Sequence, residues 1–286
     1  MKIITKAVAL SLLVSEASCF TSSNIHTNKI MPPLRMSTES STSTDTAVKV
    51  NPRKEGLALQ LDDGTRKSHS MAENTAFVTG FFKGLSNRDS YSKLLTSLYY
   101  VYVSMEEEFE NTSEESVKTM DNEELRRVAA ARVDMDYFYG EGWETRIKPS
   151  PATKKYVARI QEIAKENPKL LIAHQYTRYL GDLFGGQMMG GMASKSLGLS
   201  DGKGIDFYKF DDIPNTTDFI TQWYTKLNDL DLTTEEKEAI VDEANYVFAL
   251  NIEILEELEG SPFQAMFSLA WESFKEKTGF SWLKKN

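Results

Sequence analysis

The most unusual part of the sequence is a glycine-rich segment, residues 167–198, which reads NPKLLIAHQYTRYLGDLFGGQMMGGMASKSLG. Its two ends carry the signals of a helix, but glycines interrupt the interior, and each costs about 1 kcal/mol against alanine. If each residue turns by about 100°, one helical face combines bare backbone with polar side chains. That face contains His174, Arg178, Gly181, Asp182, Gly185 and Met189. The pattern indicates that something large and flat lies against the backbone, with a paired Arg and Asp beside it.

A plainer interpretation of the same segment is a kinked helix whose glycines let a neighbouring helix approach closely. The polar residues on the glycine face count against it, because a packing face carries Leu or Ile at such positions. A flat ligand requires open space in front of the glycines, whereas close packing requires that a neighbouring helix fills that space. The sequence leaves both interpretations open.

The histidines restrict the metal chemistry that the chain supports. Beyond the first 50 residues the sequence has two, His69 and His174, and no cysteine. A zinc site of His and Cys is therefore excluded, and neither histidine follows a glutamate by three residues as in a carboxylate di-iron bundle. A haem needs one axial nitrogen and a flat pocket, and His69 suits that role. Glu73 lies one helical turn further on, where its carboxylate can accept the other ring N–H, although such a pair is more often a surface pair.

The first 50 residues have the composition of a targeting leader. Lys2 and Lys6 precede a short apolar run, and the small residues Ala17 and Cys19 suit a signal-peptidase site before Phe20. We expect a signal-like leader over residues 1–19 and a transit peptide with a disordered linker over residues 20–50. Such a bipartite leader is typical of red-lineage plastids, so the expected location is the plastid stroma. A plain secretory leader followed by a disordered linker is the alternative.

The composition narrows the class of partner. The net charge of −9 argues against nucleic acid as a partner. No segment after the leader is apolar and long enough to cross a bilayer, so we expect no membrane anchor. The one cysteine of the sequence, Cys19, lies in the leader, so the remaining chain has no disulfide.

The spacing of apolar residues predicts a single all-α domain over residues 51–286, and we expect a monomer. The predicted helices, besides the glycine-rich segment, are residues 57–74, 90–110, 122–139, 153–166, 217–229 and 233–260. Thr233 and Glu236 form a capping box that opens the last of them. Residues 205–210 are compatible with an extended segment. Residues 262–283 form an amphipathic, aromatic tail that suits either capping of the bundle or binding of a partner.

Several strings of the sequence closely resemble haem oxygenases, and they occur in the order of that family. They are HSMAENTAF (69–77), SLYYVYVSMEEE (97–108), YGEGWE (139–144), PATKKYVARI (151–160), AHQYTRYLGDLFGGQ (173–187) and ANYVFALNIEILEELE (244–259). The resemblance extends from about Leu57 to Glu259. It implies a helical bundle that holds haem b, as substrate and prosthetic group, between a proximal and a distal helix.

The resemblance implies a role for each matching residue. The implied iron ligand is His69, and His174 is not a ligand. The residues implied to hold the haem are Glu73, Arg66, Tyr176, Gly181, Gly185 and Phe248, with Arg66 and Tyr176 at the propionates. The residues implied in catalysis are Asp182, Arg178, Tyr102, Gly181 and Gly185, with Asp182 holding the waters that deliver protons. The implied reaction opens haem with O₂ and electrons from reduced ferredoxin, giving biliverdin IXα, iron and CO for bilin synthesis.

Some positions depart from the pattern of the family. Phe184 replaces a small serine, and Gly190 and Gly191 replace basic residues that help to dock the electron donor. Ile220 and Tyr224 stand where the family offers Lys and Arg to the propionates, and a Lys is common at the position of Asp62. These departures motivate a second hypothesis, a non-catalytic haem carrier or sensor that has kept the fold. A third, an enzyme of the related thiaminase-like fold, is disfavoured because no cysteine follows the leader.

Overall fold

The computed structural model describes residues 51–82 and 87–259. Within these ranges the chain forms helices and no strand, which confirms the predicted all-α class. The helices are α1 (Gly56–Glu73), α2 (Ala76–Phe82), α3 (Arg88–Asn111), α4 (Glu115–Met120), α5 (Val128–Tyr139), α6 (Trp143–Arg146), α7 (Pro151–Glu166), α8 (Leu171–His174), α9 (Gln187–Ser196), α10 (Thr216–Asn228) and α11 (Thr234–Glu259). The expected leader, residues 1–50, and the aromatic tail, residues 262–283, lie outside the described residues.

The ends of the helices follow local capping chemistry. The backbone N–H of Thr233 donates to Glu236 Oε2 over 2.9 Å, and the N–H of Glu236 donates to Thr233 Oγ1 over 3.2 Å. This reciprocal pair is the predicted capping box, and it starts α11. Ser150 caps α7 in a similar way, by accepting from the N–H of Thr153, with Pro151 in the first turn.

Residues 205–210 do not form the extended segment with which the sequence is compatible. Asp206–Tyr208 form a 3₁₀ turn instead. The buried carboxylate of Asp134 on α5 accepts from the backbone N–H of Asp206 and from that of Phe207, both over 2.8 Å. Since both donors point at a single carboxylate, the backbone curls around it. The turn places the aromatic rings of Phe207 and Tyr208 in the core.

Helix α11 packs closely against α1. A Cβ atom added at Gly64 on α1 lies 2.5 Å from Val241 Cγ1 on α11, so the two backbones approach as closely as glycine permits. The Asn245 amide of α11 donates to the Gly64 carbonyl over 3.2 Å and to the Val241 carbonyl over 3.0 Å. Ser68 Oγ on α1 donates to Asn245 Oδ1 over 2.6 Å. Glycine and asparagine together therefore fix the position of α1 on α11.

The middle of the glycine-rich segment is wound as π-helix and not as α-helix. Gln175–Leu180 and Asp182–Gly186 have π geometry, between the α-helical ends α8 and α9. In a π-helix the hydrogen bonds span five residues, so each turn is wider and successive side chains rotate less. The face that we predicted at about 100° per residue is therefore only partly correct. On that face His174 is fully buried, whereas Gly181 is exposed.

The close crossing of α1 and α11 leads to a first prediction. Gly64→Ala forces a methyl group onto Val241 and should lower the free energy of unfolding by about 1–3 kcal/mol. A matched control is Gly80→Ala on α2, where an added Cβ meets no atom within 4 Å. That variant should be neutral or more stable by up to about 1 kcal/mol, because alanine favours helix. Urea unfolding followed by circular dichroism measures both.

Removal of the obstructing side chain provides the second control. The double variant Gly64→Ala/Val241→Ala should recover part of the stability that Gly64→Ala loses, after allowance for the cavity that Val241→Ala creates. If Gly64→Ala and Gly80→Ala have the same effect, backbone approach at Gly64 does not hold the two helices together.

Candidate functional site

The glycines of the glycine-rich segment divide into two groups. A Cβ at Gly186 lies 2.7 Å from the Tyr208 ring, and one at Gly190 lies 2.9 Å from Tyr208 Cβ. These two glycines allow the 3₁₀ turn to pack against the segment, as the plainer interpretation proposes. A Cβ at Gly181 or Gly185 meets no atom within 4 Å. Those two present bare backbone to open space, as the interpretation with a flat ligand requires.

Asp182 lies beside the open glycines and is held by two side chains, Arg178 and Tyr102. Arg178 Nη2 donates to Asp182 Oδ2 over 2.8 Å, and the Tyr102 hydroxyl from α3 donates to the same oxygen. Arg178 Nη1 donates to Asn251 Oδ1 on α11 over 2.8 Å, so both ends of the guanidinium are fixed. The Arg178 guanidinium also lies over the Tyr102 ring, 5.7 Å from its centroid. The structure thus brings together the predicted catalytic residues Asp182, Arg178 and Tyr102.

Burial governs the proton affinity of this cluster. Burial raises the pKa of Asp182, while the Arg178 charge and the hydrogen bonds from Tyr102 and Arg178 oppose that rise. Burial also raises the pKa of Tyr102 well above its ordinary value, and the nearby Asp182 carboxylate adds to the effect. Tyr102 therefore stays protonated and donates its hydrogen bond. Asp182 is a carboxylate with an increased affinity for protons, fixed in one orientation.

His69 lies on α1 with its side chain more than half exposed, at 57%. The Phe248 ring of α11 approaches it edge-on, with the ring centroids 5.6 Å apart at 77°. Glu73 Oε2 is 3.6 Å from His69 Nδ1, which is beyond hydrogen-bond distance. The predicted pairing of Glu73 with the ring N–H thus stays a prediction. An exposed imidazole that packs against an aromatic ring is well placed to bind the metal of an incoming cofactor.

The other histidine is part of a buried ionic network. His174 Nε2 lies 3.2 Å from Glu243 Oε1, and Arg159 Nη2 donates to Glu243 Oε2 over 2.5 Å. Arg159 Nη1 continues the network to Glu162 over 2.9 Å. Burial lowers the pKa of His174, although Glu243 opposes that effect. His174 is therefore a buried packing and hydrogen-bonding residue.

The structure does not bring together Tyr176 and Arg66. The resemblance assigns both of them to the haem propionates. Burial raises the pKa of Tyr176, and its phenol interacts with Thr65 and Asp62 on α1. The glycine-rich segment and α1 therefore meet at this tyrosine. Arg66 is exposed, and its guanidinium binds Asp63 on the same helix. Whether either residue contacts a ligand stays a prediction.

Three residues of this region escaped the sequence analysis: Asn251, Tyr208 and Arg53. Asn251 is a polar residue in an otherwise apolar stretch of α11, a signal that was present in the sequence. Tyr208 was assigned to a segment compatible with extended structure, and its contact with two glycines depends on tertiary structure. Arg53 precedes α1 and pairs with Asp62 over 2.6 Å, a contact that no helical spacing predicts.

The chain is similar in sequence and in fold to known proteins. The family model described as Heme oxygenase matches residues 55–257. Heme oxygenase 1 of the cyanobacterium Nostoc is 41% identical over 222 residues, covering 77% of this chain and 93% of that protein. Heme oxygenase of the alga Guillardia theta is 44% identical over 206 residues, covering 72% and 87%.

Solved structures give the same result. The crystal structure of heme oxygenase-1 from the cyanobacterium Synechocystis in complex with heme matches with a TM-score of 0.70 and 41% identity. The match covers 77% of this chain and all of that one. The helical fold and the helices that carry His69 and the open glycines thus have experimentally determined counterparts.

The buried network around Glu243 leads to a second prediction. Glu243→Gln removes the buried counter-charge of Arg159 and leaves it the half-exposed Glu162, so it should lower the free energy of unfolding by about 3 kcal/mol. Glu253→Gln is the matched control on the same helix, because Glu253 pairs with the half-exposed Lys155 over 2.6 Å. That variant should cost less than about 1 kcal/mol. Chemical denaturation measures both, and similar losses would contradict a buried charge at Arg159.

Proposed function

Because the chain belongs to the haem oxygenase family, we propose that it cleaves haem b to biliverdin IXα, free iron and CO, using O₂ and electrons from reduced ferredoxin. The observation that carries the proposal is the combination of an exposed, braced His69 with the open backbone of Gly181 and Gly185 beside the fixed carboxylate of Asp182. An imidazole, a flat surface and an adjacent proton-holding group are the parts that oxidative opening of a porphyrin ring needs.

The described residues fit a haem. An added Cβ at Gly181 or Gly185 meets nothing within 4 Å, so a planar molecule has room to lie directly against the backbone. His69 supplies an imidazole nitrogen, the axial ligand of many haem proteins. Tyr176 and Thr65 mark the place where α1 and the glycine-rich segment meet, and His69 lies one helical turn beyond Thr65. When bound, the haem supplies the iron that activates O₂ and the ring that is opened.

Different residues of the protein would bind the iron and the ring of the haem. His69 binds the iron from one side, and Phe248 limits the rotation of the imidazole by its edge-on contact. The backbone at Gly181 and Gly185 would lie against the ring and would limit the directions in which a small molecule could bind at the iron. That restriction supports attack at a single carbon of the ring, which gives one biliverdin isomer.

Asp182 controls the proton. Its carboxylate accepts from both Arg178 and Tyr102 at one oxygen, Oδ2, so Oδ1 can hold a water molecule toward the open glycines. Burial raises the pKa of Asp182, so its carboxyl group is a weaker acid than that of an exposed aspartate. The group can still accept a proton and pass it on. A weak, fixed acid suits a reaction in which protons must arrive in order during O₂ chemistry.

Phe184 is the departure nearest to this surface. Its ring is 43% exposed, one residue before Gly185, and Met188 is 46% exposed one turn further along. Exposed aromatic and thioether side chains beside open backbone suit contact with the apolar part of a porphyrin. We therefore assign Phe184 to the haem-contacting surface, where it narrows access without filling the space in front of the glycines.

A non-catalytic haem carrier or sensor is the second candidate. Ile220 and Tyr224 favour it, because both are buried and provide no cation for the haem propionates. The catalytic proposal is better supported, because a carrier has no use for a carboxylate fixed by Arg178 and Tyr102. Turnover separates the two candidates directly: the protein is mixed with haemin, reduced ferredoxin and O₂, and bilin absorbance is followed.

We also propose a location and an electron donor for the protein. The composition of residues 1–50 supports delivery to the plastid stroma, where bilin synthesis uses the product. The cyanobacterial and algal relatives support ferredoxin as the electron donor. No helix among residues 51–82 and 87–259 has the length and hydropathy of a membrane span.

The assignment of the iron ligand leads to a third prediction. His69→Ala should abolish the Soret spectrum of histidine-ligated haem and most bilin formation, and added imidazole should restore part of both. His174→Ala is the control. This variant should leave the Soret spectrum nearly intact, because His174 is buried against Glu243. Circular dichroism verifies that both variants fold. If the two variants exchange behaviour, the axial ligand is wrongly assigned.

The role of Asp182 leads to a fourth prediction. Asp182→Ala removes the proton-holding carboxylate, so bilin formation should fall by about tenfold or more while peroxidase-type oxidation of added guaiacol rises. Asp182→Asn keeps an acceptor for Tyr102 and should bind haemin normally, which separates the proton role from packing. A normal bilin yield in Asp182→Ala would contradict the proposed role.

A further inference from the structure

Four side chains form a polar cluster near the beginning of α1. Arg53 Nη2 donates to Asp62 Oδ1 over 2.6 Å. The hydroxyls of Tyr176 and Tyr224 lie close enough to act on the same guanidinium: burial lowers the pKa of Arg53, but Asp62 and the two phenols raise it overall. The cluster therefore joins α1, the glycine-rich segment and α10 to the residues that precede α1.

The fold holds Arg53 in this cluster through a locked turn. Pro52–Lys54 form a 3₁₀ turn that the Asn51 side chain caps. The Asn228 amide at the end of α10 donates to the Pro52 carbonyl over 2.7 Å, and Asn228 Oδ1 accepts from the N–H of Ala58 over 3.0 Å. Gly56 between them has φ of +56°, and a Cβ there would lie 2.6 Å from Asn228 Oδ1. The position of Arg53 is thus set by tertiary contacts on both sides.

The cluster lies on the haem side of α1. Asp62 precedes His69 by seven residues, which is about two turns of helix, so the two side chains share a face about 10 Å apart along the axis. Tyr176 interacts with Thr65, one turn before His69 on that face. A haem bound to His69 carries two carboxylates on one edge of its ring. The half-exposed Arg53 guanidinium is bound to Asp62, two helical turns from the proposed iron ligand His69. The propionate edge of a haem on His69 can reach that far.

We propose that Arg53 is the cation that binds a haem propionate in this chain, and that Asp62 both positions the guanidinium and competes with the propionate for it. The inference rests on the proposed function. It explains why Ile220 and Tyr224 can be buried without charge: the cation is supplied by the turn before α1 and not by α10.

The geometry of the guanidinium supports a shared role. Arginine has five N–H donors in a planar fork, and Asp62 Oδ1 accepts from Nη2. The remaining donors can bind a second carboxylate, but the Asp62 carboxylate already shares the guanidinium charge and so weakens that binding. The Tyr224 phenol is buried, and burial raises its pKa, so it stays a neutral donor or acceptor beside the fork. The cluster offers one cation and two phenols to an incoming carboxylate.

The test measures haemin affinity by Soret titration of the full-length protein and of variants Arg53→Gln, Arg53→Lys and Asp62→Asn. Each protein is also titrated with haemin dimethyl ester, whose propionates carry no charge. Arg132→Gln is the matched control, because Arg132 is half exposed and pairs with Glu144 over 2.7 Å on a different surface. Soret titration reports binding and does not depend on turnover.

Arg53→Gln should raise the dissociation constant for haemin by about fivefold and leave that for the dimethyl ester unchanged. Arg53→Lys should retain most of the affinity, and Arg132→Gln all of it. Asp62→Asn should bind haemin several times more tightly, because a competing carboxylate is lost. The opposite signs at Arg53 and Asp62 distinguish a propionate site from a purely structural ion pair, whose two partners weaken binding together when either is removed.

Three results would overturn the inference. Unchanged haemin affinity in Arg53→Gln would show that the guanidinium does not bind a propionate. Equal weakening for haemin and its dimethyl ester would show that Arg53 only supports the turn. Weaker binding of haemin by Asp62→Asn would show that Asp62 does not compete. A wild-type protein that binds neither haemin nor the ester would instead overturn the proposed function, and this inference with it.

Discussion

Helix α11 is the common support on which both walls of the haem site depend. Toward α1 it presents Val241, Asn245 and Phe248, which meet Gly64, Ser68 and His69. Toward the glycine-rich segment it presents Glu243 and Asn251, which meet His174 and Arg178. The proposed iron ligand His69 and the Asp182 carboxylate therefore keep their relative positions only as long as both faces of this single helix stay packed.

The glycine-rich segment meets two demands that conflict in an ordinary helix. It must approach Tyr208 closely on one side and expose bare backbone on the other, while it carries an Arg–Asp pair at partial burial. The segment meets both demands with π turns between α-helical ends, which leave His174 buried and Gly181 exposed. The cost of desolvating the Arg178–Asp182 pair is offset by Tyr102 on α3 and Asn251 on α11.

The sequence was sufficient for much of this description. Helical periodicity and capping boxes located the main helices, and the spacing of Arg178, Gly181, Asp182 and Gly185 located the site. It was insufficient where the physics is tertiary. A π turn has no simple sequence signal, so the winding of residues 175–186 was not predicted. The turn at Asp206–Tyr208 depends on Asp134, 72 residues earlier. Arg53 reaches Asp62 from a turn that Asn228 of α10 holds, and no local pattern encodes that contact.

The turn before α1 also sets a limit on how the polypeptide can be processed. Asn51 caps that turn, and Asn228 holds Pro52 and Ala58 against α10, so tertiary contacts extend to the first residues that the structure describes. Any protease that removes an N-terminal leader must stop upstream of Asn51. Trimming a few residues further would release the start of α1 and remove Arg53 while leaving His69 in place. With the role proposed for Arg53, the position of any N-terminal cleavage would bear directly on ligand affinity.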